Sequence, residues 1–196
     1  NEILPYLDFQ TIAYGKKHFW GYSDLTTILN AIYAKTGQTG VLYQIRNVLY
    51  KERKQQMTDV RDVLCEGGDA LYRIDYHYVQ GTEMHGIIVG GNIRCFLKLS
   101  GTAYMPDLNG KILLLESRSG TVARMETYLS QLQQIGAFEQ IAGILLGTFT
   151  EMEAKQCMPD IVQLVKKYVR KTMPIAVTKQ IGHGTDAKGI VIGGEL

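Results

Sequence analysis

The chain has 196 residues, of which 20% are charged and 45% hydrophobic, and its formal net charge is +2. This length suffices for one large domain or two small ones with a proper core, and the composition excludes extensive disorder. Lysines and arginines are scattered, and the densest cluster, 51–54, contains a glutamate, so we predict no nucleic-acid partner. No apolar run approaches the ~20 residues that a transmembrane helix needs, so we predict no membrane association.

The three cysteines, Cys65, Cys95 and Cys157, are odd in number and far apart in the sequence. They match no zinc-binding spacing, so we predict reduced thiols in a cytoplasmic protein. No spacing of metal ligands and no nucleotide-binding motif occurs in the sequence, so we predict no metal and no other cofactor. The chain opens at Asn1 without an initiator methionine and ends at Leu196 directly after a strand-like run, which leads us to expect a fragment of a longer protein.

The first predicted elements are a short helix and a turn in 1–12, followed by a sharply defined local pattern. The apolar pair Phe19-Trp20 ends at Gly21, and apolar residues at helical spacing follow Ser23 and Asp24. This order predicts a strand, a tight turn and a helix. A serine at such a turn can expose its hydroxyl, while the next backbone amide can hold an oxyanion at the helix N-terminus. Ser23 is therefore a candidate nucleophile; the alternative is that Ser23 or Asp24 only caps the helix.

The remainder of the first half has weaker patterns. Residues 41–45 predict a strand, and 46–66 are charged with helix-like spacing of apolar residues. Residues 71–79 alternate in polarity, which indicates an exposed strand or a linker. We place a domain boundary near residue 80.

The second half alternates strands with helices, which predicts an α/β fold. The predicted strands are 84–89, 111–116, 141–149, 174–178 and 189–193, and the predicted helices are 93–99, 122–135 and 160–171. Gly90-Gly91-Asn92 lacks the glycine spacing of a dinucleotide site and the lysine of a phosphate loop, so we predict a tight turn that caps the next helix.

Two further polar residues could complete a nucleophilic site. His183 is the only histidine in a glycine-flanked loop between two predicted strands, although it could be an ordinary surface residue and His18 is closer to Ser23 in sequence. Glu116 ends a fully apolar strand, where a buried charge needs a partner, unless the strand has already emerged into solvent. Ser23, Glu116 and His183 thus form a possible nucleophile, acid and base.

Six motifs, in order over nearly the whole chain, resemble the LD-carboxypeptidase family, which includes the microcin C immunity peptidases. They are G-Y-S-D-L-T at 21–26, G-G-N-I at 90–93, G-T-A-Y-M-P-D at 101–107, K-I-L-L-L-E at 111–116, I-A-G-I-L-L-G-T-F at 141–149 and I-G-H-G at 181–184.

The resemblance implies a serine peptidase with a Ser-Glu-His triad. Residue by residue, Ser23 corresponds to the nucleophile, Glu116 to the orienting acid and His183 to the general base, and the backbone amide of Asp24 corresponds to one oxyanion donor. The resemblance also implies two α/β parts. Residues 1–80 would be the later part of a flavodoxin-like parallel-sheet domain that carries the serine, and residues 81–196 a strand-rich domain that carries the acid and base.

The reaction implied by the resemblance is removal of the terminal D-alanine from the cytoplasmic murein tetrapeptide during peptidoglycan recycling, by a homodimer that needs no metal. Two alternatives stay open: an immunity-type peptidase that cleaves an aminoacyl-nucleotide amide, and a fragment that binds peptides without catalysis. The second arises because the family carries a glycine-rich oxyanion loop before the turn that holds the serine, and we expect this chain to begin after that loop. Many family members also have an acidic residue at the position of Ser117, which leaves the substrate open.

Overall fold

A computed structural model describes residues 1–15 and 17–196, and helices alternate with strands along this part of the chain. The strands are β1 (Phe19–Gly21), β2 (Gly40–Leu42), β3 (His77–Gln80), β4 (Ile88–Asn92), β5 (Ile112–Ser117), β6 (Gly143–Phe149), β7 (Ile175–Val177) and β8 (Ile190–Ile192). The α-helices are α1 (Phe9–Gly15), α2 (Thr26–Thr36), α3 (Arg53–Arg61), α4 (Ile93–Leu97), α5 (Val122–Gln134), α6 (Ala137–Gln140), α7 (Thr150–Ala154) and α8 (Ile161–Lys166). Over the described residues, none of the helices is long and apolar enough to cross a membrane.

The strands form two sheets. The larger has the order β3-β7-β6-β5-β4, in which β4 to β7 are parallel and β3 is antiparallel to β7. The smaller has the order β1-β2-β8, with β1 parallel and β8 antiparallel to β2. Every residue of β5 is buried, as is typical of a parallel strand covered on both faces. The predicted α/β fold is confirmed.

Two strands cross the boundary that the sequence predicts near residue 80. β3 precedes the boundary but pairs with β7 in the larger sheet, and β8 near the chain end pairs with β2 in the smaller sheet. Leu4 and Ala31 from the first half belong to the same apolar cluster as the core of the larger sheet. The division into 1–80 and 81–196 stays a prediction.

Helix α2 lies directly against the edge strand β4. The Asn30 side chain donates to the Gly90 carbonyl and accepts from the Gly90 amide, both at 2.8 Å, and therefore replaces a neighbouring strand. A side chain at Gly91 would clash with the Thr26 hydroxyl at 2.8 Å, so glycine permits the close approach. The predicted turn at residues 90–92 is therefore wrong for Gly90 and Gly91, which lie within β4. Asn92 does cap α4, because its side chain accepts from the Cys95 amide.

Three other predicted elements differ in extent. Residues 46–66 contain a 3-10 turn, α3 and a π turn, Ile45–Leu49, Arg53–Arg61 and Asp62–Glu66. Of 71–79, only 77–79 belong to a strand, as part of β3, which pairs with β7. Leu71 is instead fully buried, in a cluster with Val41 and Tyr43. Helix α8 ends at Lys166, since the chain must turn back before β7 begins.

Candidate active site

Ser23, Glu116 and His183 are brought together at the carboxyl ends of neighbouring elements. Ser23 follows β1, Glu116 lies near the end of β5, and His183 lies in the loop after β7. β5 and β7 run parallel to the intervening strand β6, so their carboxyl ends meet at one edge of the sheet, where α/β proteins bind their ligands.

The three side chains are in contact through the histidine ring. His183 Nδ1 lies 2.7 Å from Glu116 Oε2, and His183 Nε2 lies 3.4 Å from Ser23 Oγ. The side chains of His183 and Glu116 are 5% and 2% exposed. Glu116 has therefore not emerged into solvent, and His183 is not a surface residue. The second distance is long for a hydrogen bond, as is common before substrate binds.

The backbone around Ser23 has the form of a nucleophile elbow. Ser23 has a positive φ of 52°, which is uncommon for a residue with a side chain. It begins a 3-10 turn, Ser23–Leu25, that leads into α2. A side chain at Gly21 would lie 2.6 Å from Leu25 Cβ, so the turn requires glycine there. The first turn of a helix leaves its amides without intrahelical acceptors, and the Asp24 amide is in this position.

The Asp24 side chain does not cap the helix but joins it to α4. Asp24 Oδ1 accepts hydrogen bonds from Arg94 and from the Cys95 thiol, each at 2.9 Å, and lies 3.6 Å from Lys98 Nζ. The thiol hydrogen bond, followed by the charges of Lys98 and Arg94, holds the pKa of Asp24 below its usual value against the opposing effect of desolvation. These contacts tie the elbow to the second half of the chain.

The loop that carries His183 is held from two sides. The Thr148 amide, at the end of β6, donates to the Ile181 carbonyl at 2.8 Å. From the first half of the chain, the buried Asn47 side chain donates to the carbonyls of Gly184 and Ala187 at 3.3 and 3.4 Å. The histidine is thus positioned by both halves.

Tyr22 packs against His183, the candidate base. Its ring centroid lies 4.7 Å from that of His183, with the planes tilted by 53°. Its hydroxyl is buried and has no hydrogen-bond partner among the described residues. Burial, and then the negative charge of Glu116, raise the pKa of Tyr22 far above its usual value. Tyr22 is therefore uncharged, and its ring packs against the imidazole of His183.

An open cleft of about 350 Å³ leads to Ser23 and His183. Aromatic, aliphatic and basic side chains line it: Trp20, Gly21, Tyr22, Ser23, Leu25, Tyr43, Gln44, Ile45, Arg46, Arg118 and His183. A larger and mainly apolar cavity, of about 1130 Å³, lies between β3, β7 and the helices α7 and α8. It contains none of the three candidate residues.

Several residues around the site were not predicted from the sequence. Tyr22 could have been recognised from its place in the elbow motif, but its contact with His183 joins distant parts of the chain. Asn47 and the arginines of the cleft carried no local signal. His18 and His77, the other histidines near acidic or nucleophilic groups in sequence, are exposed. No cluster of three or more potential metal ligands occurs in the described ranges.

Two family models match the chain. The LD-carboxypeptidase C-terminal domain matches residues 85–196, and the LD-carboxypeptidase N-terminal domain matches residues 1–44.

Two curated relatives illustrate the range of the matches. The probable murein peptide carboxypeptidase of Bacillus subtilis is 26% identical over 209 residues, which cover 97% of this chain and 62% of that protein. The microcin C7 self-immunity protein MccF of Escherichia coli is 27% identical over 179 residues, 75% of this chain and 52% of MccF.

Among solved structures, the MccF-like protein of Bacillus anthracis superposes with a TM-score of 0.80 at 26% identity, over 99% of this chain and 68% of that protein. The chain spans about half to two thirds of the length of the curated relatives it matches. The C-terminal family model alone covers more than half of the chain and includes both Glu116 and His183. The chain belongs to the LD-carboxypeptidase family.

Proposed function

We propose that this chain carries the catalytic centre of a serine-type LD-carboxypeptidase, with Ser23 as nucleophile, His183 as base and Glu116 as orienting acid. The observation that carries the proposal is the connected contact of Glu116, His183 and Ser23, at 2.7 and 3.4 Å, around one buried imidazole. A base that is oriented by a third group and faces a hydroxyl is the arrangement that activates a serine.

The proposed reaction has two stages. His183 Nε2 takes the proton from Ser23 Oγ as the oxygen attacks the scissile carbonyl, and Glu116 stabilises the resulting imidazolium. The Asp24 amide donates to the oxyanion. His183 then protonates the leaving amine, which departs and leaves an acyl-enzyme on Ser23. Water, deprotonated by His183, attacks the ester, releases the acid and restores the serine.

The proposed substrate is the murein tetrapeptide, from which the enzyme releases the terminal D-alanine. The relative in Bacillus subtilis that is named a probable murein peptide carboxypeptidase supports this choice. A cytoplasmic location and a homodimer are part of the same proposal. All three cysteines are free thiols in the structure, in keeping with a reducing compartment.

One observation favours a second candidate, cleavage of an aminoacyl-nucleotide amide. Trp20 and Tyr43 line the cleft beside Ser23, with ring centroids 5.8 Å apart, and an aromatic ring there could stack on a base. The relative named as a microcin C7 self-immunity protein supports this candidate.

Hydrolysis by the full chain tests the proposal. Murein tetrapeptide and an aminoacyl sulfamoyl adenosine are supplied separately, and released D-alanine or amino acid is measured. We expect Ser23→Ala and His183→Ala each to lower kcat by at least about 10³-fold, because the first removes the nucleophile and the second removes the base. Glu116→Gln should lower it by about 10²- to 10⁴-fold. The exposed Glu139→Gln is the matched control and should retain activity. Near-normal turnover by Ser23→Ala would refute the assignment.

A further inference from the structure

Two arginines border the cleft that leads to Ser23. Arg46 lies in the 3-10 turn after β2, and Arg118 directly follows β5, two residues beyond Glu116. Both are exposed, and both line the same cleft as Ser23 and His183. The two side chains thus come from different halves of the chain to one opening.

Neither arginine forms an ion pair with any residue that the structure describes. Among the described residues, the ion pair that involves a lining residue is that of His183 with Glu116, and no carboxylate is itself part of the lining. The Arg46 guanidinium lies 5.5 Å from the centroid of the Tyr50 ring, which restricts its orientation. The backbone of Arg118 is fixed because its carbonyl accepts from the Glu151 amide at 3.1 Å.

The charges of both arginines reach the interior of the site. They oppose the effects of burial and of Glu116 on the pKa of Tyr22, whose ring packs on His183. The carboxylate of Glu116, deeper in the site, already contacts His183 Nδ1. The mouth of the cleft is therefore positively charged, and no carboxylate lies among the described residues that line it.

We propose that Arg46 and Arg118 together bind a carboxylate of the peptide substrate and so place the scissile carbonyl against Ser23. This inference rests on the proposed function of the cleft, and it names the side chains that recognise the free carboxylate next to the bond that is cut. Guanidinium groups suit this role because their planar donors match a carboxylate in paired hydrogen bonds.

Binding measurements in the Ser23→Ala chain test the inference without turnover. Isothermal titration calorimetry compares the murein tetrapeptide, which ends in a D-alanine carboxylate, with the same peptide ending in an amide. We expect the carboxylate to bind about 10- to 100-fold more tightly, the range for hydrogen bonds to charged groups. Arg46→Gln and Arg118→Gln should each weaken carboxylate binding by about tenfold and amide binding by less than about threefold.

Arg170→Gln is the matched control. Arg170 is also exposed, but it precedes β7 and therefore lies towards the opposite edge of the parallel sheet. This variant should bind both peptides like its parent.

Three results with the peptides would overturn the inference. They are equal affinity for the carboxylate and amide peptides, equal losses for both peptides in the arginine variants, and absence of tetrapeptide binding. Adenosine monophosphate is titrated in parallel, and arginine-dependent binding of this phosphate without arginine-dependent binding of the peptide would equally overturn it. Because hydrolysis is measured separately with Ser23 intact, failure of this inference is distinguishable from failure of the proposed peptidase activity.

Discussion

Ser23 and its neighbour Asp24 show how single residues shape the candidate site. A left-handed backbone at a residue with a side chain costs about 1–3 kcal/mol and persists only where the surroundings impose it. Here the Asp24 carboxylate supplies such a constraint through Arg94 and Cys95. We infer that these contacts help to hold the serine hydroxyl towards His183.

The buried thiol of Cys95 allows this arrangement to be tested chemically. Burial, and then its hydrogen bond to Asp24, raise the pKa of the Cys95 thiol to about 11. At pH 8 nearly all of it is protonated, and only the thiolate reacts with iodoacetamide. We expect Cys65, which is exposed, to be alkylated at least about 100-fold faster than Cys95, as followed by peptide mass spectrometry.

Two comparisons complete that experiment. In denaturant, all three cysteines should react, which shows that the protection comes from the fold. Asp24→Ala should speed alkylation of Cys95 in the folded chain, because the thiol loses its acceptor. Equal reactivity of Cys65 and Cys95 in the native chain would contradict the described contact.

At the scale of elements, strand β6 sets the distance between the acid and the histidine loop. Gly147 lies in β6, and a side chain there would be 2.5 Å from the Ile181 carbonyl and 3.1 Å from Glu116 Cβ. Glu116 is itself a candidate residue, and Ile181 lies in the same loop as His183, in the segment 181–184. The strand can bring Glu116 and His183 within 2.7 Å because this position has no side chain.

Gly147→Ala should therefore separate the two elements. We expect it to lower the free energy of unfolding by about 1–3 kcal/mol, the range for overpacking, and to lower kcat more than it changes KM. Urea denaturation and hydrolysis of the tetrapeptide measure the two effects.

Gly15→Ala, at the end of α1, is the control. Among the described residues, a side chain there would meet only Lys17 Cγ, at 3.8 Å, so the change in unfolding free energy should stay within about 0.5 kcal/mol. If Gly147→Ala behaved like Gly15→Ala, the close approach of β6 to the histidine loop would be wrong.

At the scale of the whole molecule, the two sheets are linked by strands and by a shared core. β8 completes the smaller sheet from the far end of the chain, and α2 packs along β4 through Asn30. Apolar residues of both halves meet in one cluster. The parts on either side of residue 80 should therefore stabilise each other.

This linkage predicts a single cooperative unfolding transition. Trp20, the only tryptophan, reports on β1 in the smaller sheet, whereas far-UV circular dichroism reports on the whole chain. Urea midpoints from tryptophan fluorescence and from circular dichroism should coincide. Separate midpoints would show that the two halves are independent folding units.

The features that were predictable from the sequence depend on residues that are close together in the chain. The apolar run ending at Glu116 indicates a strand buried on both faces, and the structure places Ile112–Ser117 in the middle of the larger sheet. The turn at Ser23 was recognisable because glycine, serine and helical spacing lie within a few residues. In both cases the physical cause lies within a few consecutive residues.

The sequence could not predict features that depend on distant contacts. Gly90 and Gly91 resemble a turn, yet they are glycines because Leu114 and Thr26 approach them closely. The pairing of β8 with β2 and the packing of Tyr22 on His183 also join segments far apart in the chain. No periodicity within one element carries that information.

Covalent labelling of Ser23 is the measurement that tests the central claim most directly. A serine-directed fluorophosphonate is incubated with the full chain, and the modified residue is mapped by mass spectrometry. We predict one phosphonyl group per chain, on Ser23, and labelling at least about 10³-fold slower in His183→Ala, because the base activates the hydroxyl. Ser130→Ala, in helix α5, should label normally. No labelling, or labelling that is unchanged in His183→Ala, would contradict the assignment of Ser23 and His183 as nucleophile and base.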